Sequence, residues 1–269
     1  MKFVWDIYPV FHIGELAVRW YSVIYALVLV ATWALTLWQF LRGGHKEADA
    51  NWFIGFNLVG LFVGGRLGHL VFYEWERFAA DPGVFFSFRD GGIASHGSTI
   101  GIIVAIVSFS LWKRMAVLEL ADRLSFGTAL GAAMVRIGNL FNSEVVGRVT
   151  DQTWGVRFPY YDHSHEHAPL RHPSQLYEFA LGAAVLALLL VVDRRLGEGR
   201  PRGLLTALFF AVYFSGRFAI EFAKEYQALP SGSLLTMGQW LSVVPATAGW
   251  IGLAILFVRH RRAQAPGSV

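Results

Sequence analysis

The chain contains no cysteine, which excludes disulfides, thiolate metal sites and an enzyme thiol as nucleophile. Charge is scarce: Asp, Glu, Lys and Arg make up 16% of residues, against about 25% in ordinary soluble domains. The first fifteen residues, MKFVWDIYPVFHIGE, lack a basic segment followed by an apolar core, so they do not read as a cleavable signal peptide. The first membrane helix is therefore expected to do the targeting. There is no convincing internal repeat, and no polar stretch exceeds the segment 142–172. The paired, broken halves of an inverted-repeat transporter are not visible.

What is present is apolar surface. Of 269 residues 55% are hydrophobic, and the mean hydropathy of +0.45 exceeds what a soluble domain carries. Apolar runs near the roughly 20 residues of a membrane span occur at about 16–41, 51–73, 93–112, 118–141, 173–193, 203–223 and 237–258. The fold class is thus an all-α polytopic membrane protein of about seven spans. A net charge of +4 could point to nucleic acid. The basic residues, however, gather in the connections Arg42 to Lys46, Lys113 to Arg114 and Arg194 to Arg202, and in the tail Arg259 to Arg262. That is topology signal, so nucleic-acid binding is discarded. By the positive-inside rule these connections are cytoplasmic, with the N-terminus outside and the C-terminus inside. The opposite connections, 74–92, 142–172 and 224–236, carry Glu74, Glu76, Asp81, Asp90, Asp151, Asp162 and Glu166. The whole chain, 1–269, reads as one transmembrane domain with an extracytoplasmic loop at about 142–172.

Glycines at 60, 64 and 68, at 97 and 101, and at 127 and 131 have the small-xxx-small spacing that lets membrane helices approach closely. Against this packing background the charged groups stand out. The segment Arg136 to Arg148, RIGNLFNSEVVGR, puts two arginines, two asparagines and a glutamate at the end of a spanning run. An arginine at mid-membrane costs roughly 2.5 to 3.5 kcal/mol, so such a cluster faces the protein interior or a water-filled cavity. Tyr213, Arg217 and Glu221 recur every four residues on one face of the sixth span. The alternative reading there is that arginine and glutamate simply neutralise each other. Arg66 sits among Gly64, Gly65 and Gly68, which leave room for its guanidinium beside backbone or a headgroup. Arginine's planar fork suits phosphate. Arg66, Arg136 and Arg217, with few acids nearby, point to an anionic ligand reached from the outer leaflet, and phospholipid phosphate is the obvious candidate.

His96 lies just inside the third span, after the flexible entry Asp90 to Ser95. It can remove a proton from a thiol or hydroxyl, or serve only as a packing histidine. Tyr21 and Tyr25 lie one turn apart on the first span, and RHPSQLYE, from Arg171 to Glu178, starts the fifth. Pro173 suits a helix start. Glu178 falls about one turn into the membrane, where an arginine partner is expected. His163, His165 and His167 alternate in the outer loop, but no second ligand pair supports a metal site.

Together these residues resemble the prolipoprotein diacylglyceryl transferase family over nearly the whole chain. The segment Arg136 to Arg148 is similar to the family signature. Trp20-Tyr21, Gly64-Gly65-Arg66, His96-Gly97, Arg171 to Glu178, Arg217 with Glu221, and Met237-Gly238-Gln239 follow in the family's order. Ser98 and Ser143 stand where the family pattern usually has glycine. The resemblance implies a multi-pass protein of the bacterial cytoplasmic membrane that transfers a diacylglyceryl group from phosphatidylglycerol to the lipobox cysteine thiol of a prolipoprotein, releasing glycerol phosphate. Neither cofactor nor metal is implied. The expected catalytic residues are His96 as base, Arg136 and Arg217 as fixed cations, and Tyr21. Substrate binding falls to Arg66, Asn139, Asn142, Glu144, Gly147, Tyr213 and Glu221. Two other readings are a lipid or anion transporter and an inactive homologue serving as a membrane scaffold.

Overall fold

The computed structural model describes residues 3–87, 91–226 and 233–264. Asp90 of the third-span entry lies outside them. The chain opens with short strands β1 (Phe3–Val4), β2 (Val10–Ile13) and β3 (Leu16–Arg19), followed by helices α1 (Trp20–Arg42), α2 (Glu47–Tyr73) and the short α3 (Trp75–Ala80). After a 3-10 turn at Pro82–Phe86 come α4 (Ser95–Lys113) and α5 (Val117–Phe141). The outer segment then forms β4 (Val156–Arg157), α6 (Pro159–Asp162) and β5 (Leu170–Arg171). It leads into α7 (Ser174–Leu196), α8 (Leu204–Ile220) and α9 (Met237–Gln264). Seven of the helices are long and apolar enough to cross a membrane, which agrees with the seven apolar runs.

The helix ends follow local chemistry. Glu47 and Asp49 stand in the first turn of α2, where the helix dipole favours acids, and Arg194 and Arg195 stand in the last turn of α7, where it favours bases. Thr236 and Gln239 close a capping box at the start of α9: the Gln239 backbone N–H donates to Thr236 Oγ1 at 3.1 Å, and the Thr236 N–H to Gln239 Oε1 at 2.9 Å.

The chain divides into two compact units, Trp33–Arg123 on one side and Met1–Thr32 with Leu124–Val269 on the other. In the Trp33–Arg123 unit α2 lies against α4 with backbone facing backbone. A Cβ on Gly101 would stand 2.7 Å from the Gly60 carbonyl carbon and 3.1 Å from the Gly64 Cα, and one on Gly68 would stand 2.7 Å from the Gly97 Cα. Ser98 donates to the Leu61 carbonyl at 2.9 Å, so this serine spends its hydroxyl on α2. A core of Phe40, Phe53 and Phe109 fills the other end of the unit.

In the larger unit α8 packs between α7 and α9, and Gly182 of α7 meets the Ala133 backbone of α5. The 142–172 segment is built rather than structureless. Strand β4 pairs parallel with β1 and antiparallel with β5, while β2 and β3 form a hairpin turning at Gly14. Leu140, Val146, Val156 and Phe158 make a small core beneath this cap, with Trp5 and Tyr161 against it. Arg171 fastens it, with Nη2 2.6 Å from Asp162 and Nη1 2.9 Å from Glu225 and with its guanidinium over the Tyr161 ring. Burial opposes the charge on Arg171, but the hydrogen bond and charge of Asp162, reinforced by Glu225, raise its pKa above arginine's ordinary value.

Glycines of one spacing class therefore differ in consequence. Gly101→Ala, which forces backbone apart, is expected to destabilise by about 1–3 kcal/mol. Gly131→Ala, whose new methyl meets only Val28 Cγ1 at 3.5 Å, is expected to be neutral. Thermal unfolding of the two purified variants checks the difference, and equal midpoints contradict the backbone-contact account.

Candidate active site

Arg136 and Asn139 stand one turn apart at the end of α5 and hydrogen-bond to each other, Nη1 to Oδ1 at 3.2 Å. Asn139 Nδ2 donates to Glu144 Oε1 at 2.7 Å, and Asn142 Nδ2 donates to the same oxygen at 3.4 Å. The turn beyond α5 is tight, with Ser143 at φ 51° and Val145 at φ 58°. A β-branched valine in the left-handed region stores strain of about 1–3 kcal/mol and persists only where its surroundings hold it. They do so here: Gln175 donates to the Glu144 carbonyl at 2.9 Å and Ser174 to the Val145 carbonyl at 2.7 Å. The positive φ also explains why glycine suits the Ser143 position.

Gly147 is confined by backbone on two sides. Its N–H donates to the His172 carbonyl at 3.0 Å, and a Cβ there would run into His172 and the Ala223 carbonyl. The flanking Arg148 N–H donates to Ala223 and the Glu225 N–H to Val146, at 2.9 and 3.2 Å. The signature turn is thus hydrogen-bonded to the segment just past α8, next to a second charged group.

That group is centred on Glu178 of α7, whose side chain is 0% exposed. Arg136 Nη1 lies 3.1 Å from its Oε2, while Arg217 Nη1 and Lys224 Nζ lie 3.4 and 3.8 Å from its Oε1. Lys224 also pairs with the buried Glu221, which accepts from Thr236 Oγ1 at 2.9 Å. Tyr213 is buried one turn before Arg217, within hydrogen-bonding reach of it, and stacks on Phe209. Tyr21 packs on Gly138 and lies near the charges of Glu144 and Arg136. In direct ion pairs, three cations (Arg136, Arg217, Lys224) face two carboxylates (Glu178, Glu221). Arg136 Nε is buried with no hydrogen-bond partner among the described residues.

The larger unit thus gathers Tyr21, Arg136, Asn139, Asn142, Glu144, Gly147, Tyr213, Arg217 and Glu221 into continuous contact networks. The two remaining candidates, Arg66 and His96, belong to the Trp33–Arg123 unit. Arg66 is 3% exposed and donates to five backbone carbonyls, those of Val84, Phe85, Ser87, Gly91 and Gly92. Its guanidinium holds the turns before α4. His96 is exposed in the first turn of α4, with its ring 5.3 Å from Phe72 and 5.9 Å from Tyr73, and makes no hydrogen bond among the described residues.

Sequence reasoning left Glu178 and Lys224 out of the site. The signal for Glu178 was its depth in an apolar run. Lys224 gave less, because it sits just past a span where a basic residue reads as ordinary flank. The capping box of Thr236 and Gln239 was missed as well, although T-x-x-Q is its sequence signal.

A sequence profile for the prolipoprotein diacylglyceryl transferases matches residues 9–255. A phosphatidylglycerol–prolipoprotein diacylglyceryl transferase of Chloroherpeton thalassium is 35% identical over 263 residues, 97% of this chain and 95% of the relative. Proteins of the same name are 36% identical in Tolumonas auensis, over 96% of this chain and 98% of theirs, and 38% identical in Vibrio cholerae, over 87% and 85%. With a signature turn braced beside Arg136 and a match along almost its full length, the chain belongs to the prolipoprotein diacylglyceryl transferase family.

Proposed function

We propose that this protein transfers the diacylglyceryl group of phosphatidylglycerol to the lipobox cysteine thiol of a bacterial prolipoprotein. It does so in the cytoplasmic membrane, with its N-terminus outside and C-terminus inside. The observation that carries the reading is the cation surplus around Glu178, with Arg136 Nε unspent. The relatives' printed names supply the substrates.

In the reaction the cysteine sulfur forms a bond to the glyceryl carbon, the bond from that carbon to the phosphate ester oxygen breaks, and glycerol phosphate leaves with the electron pair. Charge grows on the leaving phosphate, so Arg136 and Arg217 are its stabilising cations, preorganised before the lipid arrives. Asn139, with Asn142 and Glu144, orients Arg136, and Tyr21 and Tyr213 flank the two arginines. Gly147 holds the turn against α8. Lys224 holds Glu221 in place. Arg66 positions the turns that precede His96. His96 takes the thiol proton. Its ring is free of internal hydrogen bonds among the described residues, which suits a base better than a strut.

Purified protein given labelled phosphatidylglycerol and a lipobox peptide is expected to label the peptide, and the Cys→Ser peptide is expected to remain unlabelled, because a hydroxyl ionises far less readily than a thiol. Equal labelling of both overturns thiol transfer, and labelling of neither returns the transporter reading.

Arg136→Lys and Arg217→Lys should each lower turnover at least tenfold at unchanged membrane abundance, since lysine keeps the charge but loses the two-pronged contact. Near-normal turnover in both removes the phosphate clamp.

His96→Gln should stay folded and lose most activity near pH 7, with a residual rate that climbs towards pH ~8.5 as the thiol ionises unaided. Full activity at neutral pH in the folded variant removes the base assignment.

A further inference from the structure

Away from the Glu178 cluster, Arg171 meets Asp162 at 2.6 Å, and Arg200 meets Asp193 at 2.7 Å beside α7. The Arg171 contact is an aligned charge-assisted hydrogen bond. The Glu178 contacts are longer, at 3.1, 3.4 and 3.8 Å, and its Oε2 lacks an aligned hydrogen bond although Arg136 stands beside it. One fully buried carboxylate therefore faces three cations from three directions without closing tightly on any of them. A carboxylate and a phosphate share the features that arginine reads: negative charge spread over oxygens on one centre. A buried carboxylate is also strongly destabilising unless cations surround it.

We propose that Glu178 is an internal counter-anion that holds Arg136, Arg217 and Lys224 at the spacing of an oxyanion ligand and shares them with the lipid phosphate when the donor binds. This rests on the transferase reading of Arg136 and Arg217. In the absence of phosphate, the carboxylate keeps three like charges from driving one another apart. With phosphate bound, Arg136 can turn its unspent Nε, and Arg217 its outer edge, to the ligand while Glu178 keeps a shared hold on both. Glu178 is a positioning residue that touches the cations and not the substrate. Loss of its charge has opposite effects on two quantities: anions bind more tightly, because a competitor is gone, and turnover falls, because the guanidiniums lose their spacing.

The test compares wild type with Glu178→Gln in two measurements, thermal unfolding titrated with inorganic phosphate and transfer kinetics with phosphatidylglycerol. For Glu178→Gln the expected results are a lowered midpoint without phosphate, recovery of the midpoint on adding it, and an apparent phosphate affinity at least tenfold above wild type. Turnover should fall at least tenfold while KM for phosphatidylglycerol does not rise. A packing role predicts a lowered midpoint with no gain in phosphate response, and that result overturns the proposal, as does unchanged turnover. Should Glu178→Gln fail to accumulate, the double variant Glu178→Gln/Lys224→Gln removes one charge of each sign. It must show the same gain in phosphate affinity, and without that gain the proposal falls. The two readings separate cleanly, since absence of transfer by wild type strikes the transferase function and absence of the phosphate gain strikes the counter-anion.

Discussion

A carboxylate with no water around it must be met by positive charge, and in this protein that requirement falls on Glu178. Three segments converge to meet it: Arg136 from the end of α5, Arg217 from α8 and Lys224 from the turn beyond. Once they converge, other features follow. Asn139 braces Arg136, Glu144 braces Asn139, and Gln175 holds the Glu144 backbone through a turn that strains Val145. Lys224 passes charge to Glu221, which is anchored by Thr236 at the capped start of α9. Removing the central anion would leave Arg136 and Arg217, both partly buried, without their carboxylate, a destabilising change.

In the direct ion pairs three cations meet two carboxylates, so the proposed chemistry does not conflict with folding. A fully neutralised cluster would have nothing left for an anionic ligand, and one without Glu178 would spread apart before the ligand came. Arg66 shows the other way of keeping an arginine buried: five carbonyl oxygens take the place of water around it, with no acid involved. A carbonyl cage spends the hydrogen-bond donors but leaves the charge intact, whereas an ion pair cancels the charge.

Much of this was readable in the residues. The seven spans stand out because membrane burial imposes long apolar runs, and their limits moved by only a few residues on folding. The charged signature was legible because Arg136, Asn139 and Glu144 are expensive there without a purpose. The strands were not legible: β1, β4 and β5 have two residues each, too few for an alternation to register. Nor was the turn at Ser143 and Val145, since the left-handed conformation usually announces itself by glycine and here is imposed by contacts from α7. Arg66 was open between backbone and headgroup, because glycines on either side admit both, and the five carbonyls around it became visible only in the fold.

The backbone contact of α2 with α4 bears on how the protein meets its bilayer. With glycine facing glycine from Gly60 and Gly64 to Gly97 and Gly101, no layer of side chains lies between the helices to act as a lubricant. Shearing one past the other would push the bulkier neighbours of these glycines into the seam. The pair is therefore keyed, and a bilayer of different thickness can be matched by tilting both helices as one plate but not by sliding one along the other.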